Sequence, residues 1–182
     1  MYYWGKRTCQ HAGGSNSGWA VGGGTQGAVL PCGGNYPDDA DSWLIYGPFS
    51  LVGATAAELN YSFWLNTEAN WDWLCQAASI DGQNYFEDVC YAGSIPDWWD
   101  SMLDLSAVGG EQNMLNQPRV WVALYFVSDE ATNEAEGAYV DDVVLRKCTA
   151  PSCPSSNRAE DRPAGKLTRR GPAVRILPRP AN

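Results

Sequence analysis

Arg119-Val120-Trp121-Val122-Ala123-Leu124-Tyr125-Phe126-Val127-Ser128 is the stretch that decides the fold class. Val120, Val122, Leu124 and Phe126 fall on one face, and Trp121, Ala123 and Tyr125 fall on the other. That period of two is the signature of a strand. β-branched and aromatic side chains dominate the run, which suits a pleated surface and not a helix. The same pattern recurs in both directions along the chain. Ala57 to Asn66 puts Leu59, Tyr61, Phe63 and Leu65 on one face and Asn60, Ser62, Trp64 and Asn66 on the other. Ser42 to Phe49 reads as a strand stopped by Gly47-Pro48, and Gly137 to Arg146 as the last strand. Trp71 to Ile80 and Asn84 to Tyr91 flank Asp81-Gly82, a hairpin turn signal. Met102 to Leu105 is short, and residues 13–36 are Gly-rich, broken only by Trp19-Ala20-Val21. Strands this short, with turn signals between them and no helical period, predict an all-β fold. The expected form is a two-sheet antiparallel β-sandwich (jelly roll).

The chain has 182 residues, 45% of them apolar and 18% charged, enough for one core and a tail. The first 145 residues hold three basic and nineteen acidic side chains, and the last 37 hold nine basic and two acidic. An acidic body repels phosphate backbones, so the composition excludes nucleic acid as a partner of the fold. No apolar run is long enough to span a bilayer, which excludes membrane insertion through a helix. From Thr149 onward Pro, Ser, Arg and Gly dominate. Residues 1–148 are therefore expected to form the module, and 149–182 a disordered basic, Pro-rich tail.

Six cysteines (Cys9, Cys32, Cys75, Cys90, Cys148 and Cys153) accompany a single histidine, which favours disulfides over zinc and implies an oxidising compartment. Fifteen connectivities are possible. Cys9–Cys32, Cys75–Cys90 and Cys148–Cys153 are expected because each pair brackets a turn-rich segment. Met1-Tyr2-Tyr3-Trp4 lacks the apolar core of a signal peptide, so an extracellular destination implies a longer natural chain.

An ordered series of short motifs carries a family resemblance: Gly18-Trp19-Ala20-Val21-Gly22-Gly23-Gly24, Leu30-Pro31-Cys32-Gly33, Asp41-Ser42-Trp43, Tyr46-Gly47-Pro48-Phe49, Ser79-Ile80-Asp81-Gly82, and Gly137 to Leu145. Over residues 4–148 the chain resembles the MAM-like and carbohydrate-binding jelly-roll modules of bacterial secreted proteases and glycosidases, such as immune-inhibitor-A-type peptidases. The family's opening strand, with its Phe-Glu pair, is absent. The resemblance implies an accessory role: binding a polysaccharide or cell-surface glycan, binding a protein, or packing on a neighbouring domain. It also implies a structural calcium between the first and last strands. Asp141 would be a ligand and the turn around Asn16 would supply further oxygens.

The residues offer little for catalysis. His11 has no serine elbow to partner. Asp97 with Asp100, and Glu134 with Glu136, are the nearest approach to a glycosidase pair, and neither lies in an evident strand. Gly22-x-Gly24-x-x-Gly27 spells a dinucleotide fingerprint but leads into Ala28-Val29-Leu30-Pro31, not a helix. Asn60-Tyr61-Ser62 is a glycosylation sequon inside a predicted strand. The chain is thus expected not to be an enzyme, with a small glycoside hydrolase as the catalytic alternative. Aromatic rings opposite the apolar faces are the informative feature. Trp64, Trp121 and Tyr125 are expected on outer faces, with Trp71, Trp73, Trp98 and Trp99 at loop edges. There they form a glycan-stacking platform, a protein interface, or structural rings covered by loops.

Overall fold

In a computed structural model the alternating segments lie side by side as antiparallel strands. Residues 1–95, 97–131, 133–134, 136–150, 166–171 and 173–176 are described, apart from the side chains of residues 166, 167, 169 and 176. The strands are β1 (Tyr3–Arg7), β2 (Ser17–Gly23), β3 (Asp41–Phe49), β4 (Ala56–Asn66), β5 (Trp73–Ser79), β6 (Asn84–Ser94), β7 (Trp99–Asp104), β8 (Val120–Val127), β9 (Gly137–Cys148), β10 (Lys166–Arg170) and β11 (Val174–Ile176). One helical turn, α1 (Gly24–Gly27), follows β2. It is the segment that spells the dinucleotide fingerprint.

Hydrogen bonds link the strands in the order β1-β2-β9-β4-β6-β5-β8-β3, with β7 on β4, and β10 and β11 on β6. The β4–β6 junction is a single pair, Asn66 with Ser94. The two ends of the path meet: Trp4 Nε1 donates to the Ser42 carbonyl at 3.1 Å, and Ser42 Oγ to the Ala20 carbonyl at 2.6 Å. The result is an almost helix-free antiparallel sheet that nearly closes on itself, barrel-like.

The alternation decides what fills the interior. Leu59, Tyr61, Phe63 and Leu65 of β4 and Val120, Val122, Leu124 and Phe126 of β8 are all buried, together with Trp19, Leu74 and Tyr139. Polar groups taken inside are paired, as burial demands. Tyr61 OH donates to Gln76 Oε1 at 2.8 Å, and Gln76 Nε2 donates to Asp88 Oδ2 at 2.6 Å.

Cys9–Cys32 and Cys75–Cys90 are bonded as expected, with Cα–Cα distances of 5.3 and 4.0 Å. Cys148 is also disulfide-bonded; Cys153 lies outside the described residues. In the 149–182 tail, expected to be disordered, two segments are strands. Lys166–Arg170 pairs with Ser94–Cys90, and Val174–Ile176 with Phe86–Asn84. Their composition carries no strand signal; what orders them is the edge of β6, which offers backbone partners. Apart from 149, 150, 171 and 173, the remaining tail residues lie outside the described residues.

Candidate binding face

Residues opposite one another in an antiparallel pair share a face. The register therefore sets Trp43, Tyr125, Cys75, Cys90 and Arg170 in one row across β3, β8, β5, β6 and β10. Beside it run Ala123, Ala77 and Glu87, then Trp121 and Ser79. Tyr85, two residues before Glu87, joins the same side of β6. This is the side turned away from Val122, Leu124 and Phe126, and it carries its own apolar cluster of Trp73, Cys75, Tyr85, Cys90 and Tyr125, flanked by Trp43 and Trp121.

The rings make specific contacts. Trp43 stacks on Tyr125 with centroids 4.0 Å apart, and Tyr85 meets Trp43 edge-on at 5.6 Å. In the middle sits Glu87, 1% exposed. Its Oε2 accepts from Tyr125 OH, from Arg170 Nη2 at 3.2 Å and from Arg175 Nε at 3.3 Å. Its Oε1 has no hydrogen-bond partner among the described residues. The Arg170 guanidinium lies 5.0 Å over Trp73, and that of Arg175 lies 5.3 Å over Tyr125. Burial first, then the Glu87 carboxylate, pushes the Tyr125 phenol far above its ordinary range. Burial, aided by Asp81, pushes Tyr85 up to about 12. Cys75, Glu87 and Cys90 bring potential ligand atoms within 4.8 Å of one another. The two sulfurs are bonded to each other, however, so the thiolates a soft metal needs are gone.

Of the rings singled out from sequence, this face gathers Trp73, Trp121 and Tyr125. Tyr125 is fully buried and Trp73 nearly so; the arginines of β10 and β11 lie over both. Trp121 is half-buried, with the Arg119 guanidinium 4.9 Å over its ring and Gly82 against it. The others stand elsewhere. Trp64 packs edge-on against Tyr139 at 5.9 Å, and Trp99 against Phe63 at 6.5 Å. Trp98 is half-buried against the core, and Trp71 is exposed at 61%. The sequence reading overlooked Trp43, Tyr85 and Glu87 as members of the site. For Tyr85 and Glu87 alternation alone misleads: counted from Cys90 it puts Asp88 on this face, and only the register shift between Cys75 and Ala77 brings Glu87 there, opposite Ala77.

Asp141 and Asn16 line a pocket of about 350 Å³ with Trp4, Lys6, Leu44 and Asp142. Asp141 Oδ2 accepts from the Ala12 and Gly13 amides at 2.9 and 3.1 Å, and Oδ1 from the Asp142 amide at 2.9 Å. Asn16 Nδ2 donates to Ser15 Oγ at 2.8 Å. In this arrangement Asp141 ties the loop after β1 to β9. The acids weighed for catalysis are dispersed in role. Asp97 and Glu134 are exposed, and Asp100, on β7, accepts from Ser62 Oγ at 2.7 Å. Glu136 is buried; it accepts from Gln10 Nε2 at 2.9 Å, the Gly33 amide at 3.1 Å and Tyr139 OH at 3.2 Å. His11 is exposed.

The chain is similar to part of Bacillopeptidase F from Bacillus subtilis (strain 168). Identity is 29% over 135 residues, which is 73% of this chain and 9% of that protein. No family model matches. The chain thus spans about a tenth of the length of Bacillopeptidase F, so the likeness concerns one region of that protein and not its whole activity. Among the described residues, no helix is long and apolar enough to cross a membrane.

Proposed function

We propose that this chain is a non-catalytic extracellular binding module, accessory to a larger secreted protein, and that its ligand is a polysaccharide. The single Asn66–Ser94 junction is read as the seam between the two sheets of a jelly roll. Likeness to a region of a peptidase and two buried-core or loop-tying disulfides support the accessory, extracellular reading. The observation that carries the ligand reading is the half-open end of the aromatic face. Trp43 and Trp121 are neither buried nor free, and the Trp43 indole already donates to Asp41 Oδ1 at 2.6 Å. Flat rings beside carboxylates suit a sugar, whose C–H face stacks and whose hydroxyls donate. Full-length protein should be retained on insoluble glucan or xylan, and Trp43→Ala or Trp121→Ala should release it while near-UV circular dichroism stays native. Equal retention of both variants with the unaltered chain rejects this site. Reducing-sugar release that disappears in Asp97→Asn or Asp100→Asn would instead establish a hydrolase.

A specific observation favours a second reading, a MAM-like packing surface. Leu44, Ile45 and Tyr46 of β3, the last strand on the path, are 39%, 44% and 64% exposed. Apolar side chains on a terminal strand are a natural contact for a neighbouring domain. Dimerisation or aggregation that Ile45→Lys cures, with no glycan retention, selects this reading.

Calcium at Asp141 and Asn16 is proposed as a subsidiary structural ion. Binding requires the Ala12 and Gly13 amides to turn away from Asp141, so affinity should be weak, on the order of 10⁻³ M. The melting temperature should rise in calcium, fall back with EDTA, and cease to respond in Asp141→Asn. A calcium-insensitive melting temperature removes the ion from the proposal.

A further inference from the structure

The buried half of the aromatic face is filled by the chain's own β10 and β11, and the manner of filling is informative. Glu87 sits 1% exposed at the foot of a trough walled by Trp73, Tyr125 and the Cys75–Cys90 disulfide. A carboxylate so placed calls for a cation, and among the described residues none comes from β1–β9. Both cations come from the far end of the chain: Arg170 and Arg175 each reach Glu87 Oε2. Each guanidinium also lies over a ring, Arg170 over Trp73 and Arg175 over Tyr125. The backbone between them is held as well, since the Glu87 amide donates to the Ala173 carbonyl at 2.7 Å. The features together are those of strand addition: main-chain bonds along an edge, and a pocket that holds one arginine from each of the two added strands. The remaining acceptor, Glu87 Oε1, is buried and unpartnered among the described residues. A guanidinium engages a carboxylate best with both oxygens in a fork, so the resident arginines leave part of the site's capacity unused.

From these contacts we propose that the edge of β6, with Glu87, Trp73 and Tyr125, is a docking groove for an extended peptide strand bearing two arginines spaced as Arg170 and Arg175 are, and that β10 and β11 (Lys166–Arg170 and Val174–Ile176) occupy it in cis as an exchangeable occupant. Charge complementarity agrees, because the first 145 residues carry three basic against nineteen acidic side chains. This groove is the closed half of the face, and the proposal does not rest on glycan binding at Trp43 and Trp121.

The test uses the full chain carrying Arg170→Ala and Arg175→Ala, and a fluorescein-labelled peptide with the sequence of Lys166–Ile176. The double variant should bind the peptide, and the unaltered chain should bind it at least tenfold more weakly, because its own strand competes. Adding Glu87→Gln to the double variant, or replacing the peptide residues that correspond to Arg170 and Arg175 with alanine, should weaken binding at least tenfold, the scale of a lost charge-assisted bond. Failure of the folded double variant to bind, or binding indifferent to Glu87→Gln, overturns the proposal. If the double variant does not fold, hydrogen exchange in the unaltered chain decides. Excess peptide should strip protection from the amides of Lys166–Arg170 while the Glu87 amide stays protected by the incoming strand, and β10 protection that the peptide leaves unchanged overturns the proposal.

Discussion

The Asp81 carboxylate accepts from the amides of Gln83 and Asn84, both at 2.8 Å, from Asn84 Nδ2 at 2.6 Å and from Ser79 Oγ at 2.9 Å. Gly82, at φ +73°, completes the turn between β5 and β6 where a side chain would be strained. These donors, the Asn84 amide foremost, hold the carboxyl well below its ordinary 3.8. A depressed acid stabilises the fold above its unfolded pKa, and that contribution is lost as pH falls toward the folded value. The side chain is largely exposed, so solvent screening reduces the effect to about 1 kcal/mol. Asp81→Ala should therefore lower stability by about that amount at neutral pH in urea titrations. The gap from the unaltered chain should narrow as pH drops below about 4. A gap that is constant from neutral to acid pH would mean that the carboxylate's charge is not what holds the turn.

Among the elements, β1 shows how far packing can override composition. Tyr3-Trp4-Gly5-Lys6-Arg7 has no alternation to mark it, and β2 contains three glycines, yet the two pair from Tyr3–Gly23 to Arg7–Ser17. A Cβ on Gly5 would lie 2.4 Å from the backbone of Gly22 and Gly23, so the pairing depends on glycine where the chains cross closest. Gly5→Ala should cost about 1–3 kcal/mol, the range for forced overpacking, read as a lowered melting temperature. A neutral result would mean that β1 is not docked as described. The same contrast explains what was legible in the sequence. β4, β8 and the Cys75–Cys90 hairpin announce themselves because local alternation and turn chemistry agree with their final burial. The covering of Tyr125 does not, because Trp43 covers only part of it and the guanidinium over the ring is that of Arg175, which is remote in sequence and lies in a segment without periodicity. Alternation tells which way a ring points and is silent about what lies over it.

Taken as a whole, the molecule buries tyrosines in two places, within the apolar interior and on the outer aromatic face. Burial is the first cause that raises the phenol pKa of Tyr36, Tyr61, Tyr85, Tyr125 and Tyr139 above the ordinary 10. A raised folded pKa stabilises fully below the unfolded value, and the contribution is lost as pH rises beyond it, because the unfolded chain releases protons that the folded chain retains. Each such tyrosine removes up to about 1.4 kcal/mol per pH unit once pH exceeds about 10. Several acting together exceed the margin of a typical domain within one or two units, on the order of 5–15 kcal/mol. Unfolding should therefore be abrupt above about pH 10, and tyrosinate absorbance should appear in step with the loss of near-UV circular dichroism. A smooth rise of tyrosinate absorbance for all the tyrosines while the circular dichroism stays native would show that these rings are open to solvent, and that neither the interior nor the Glu87 face is closed.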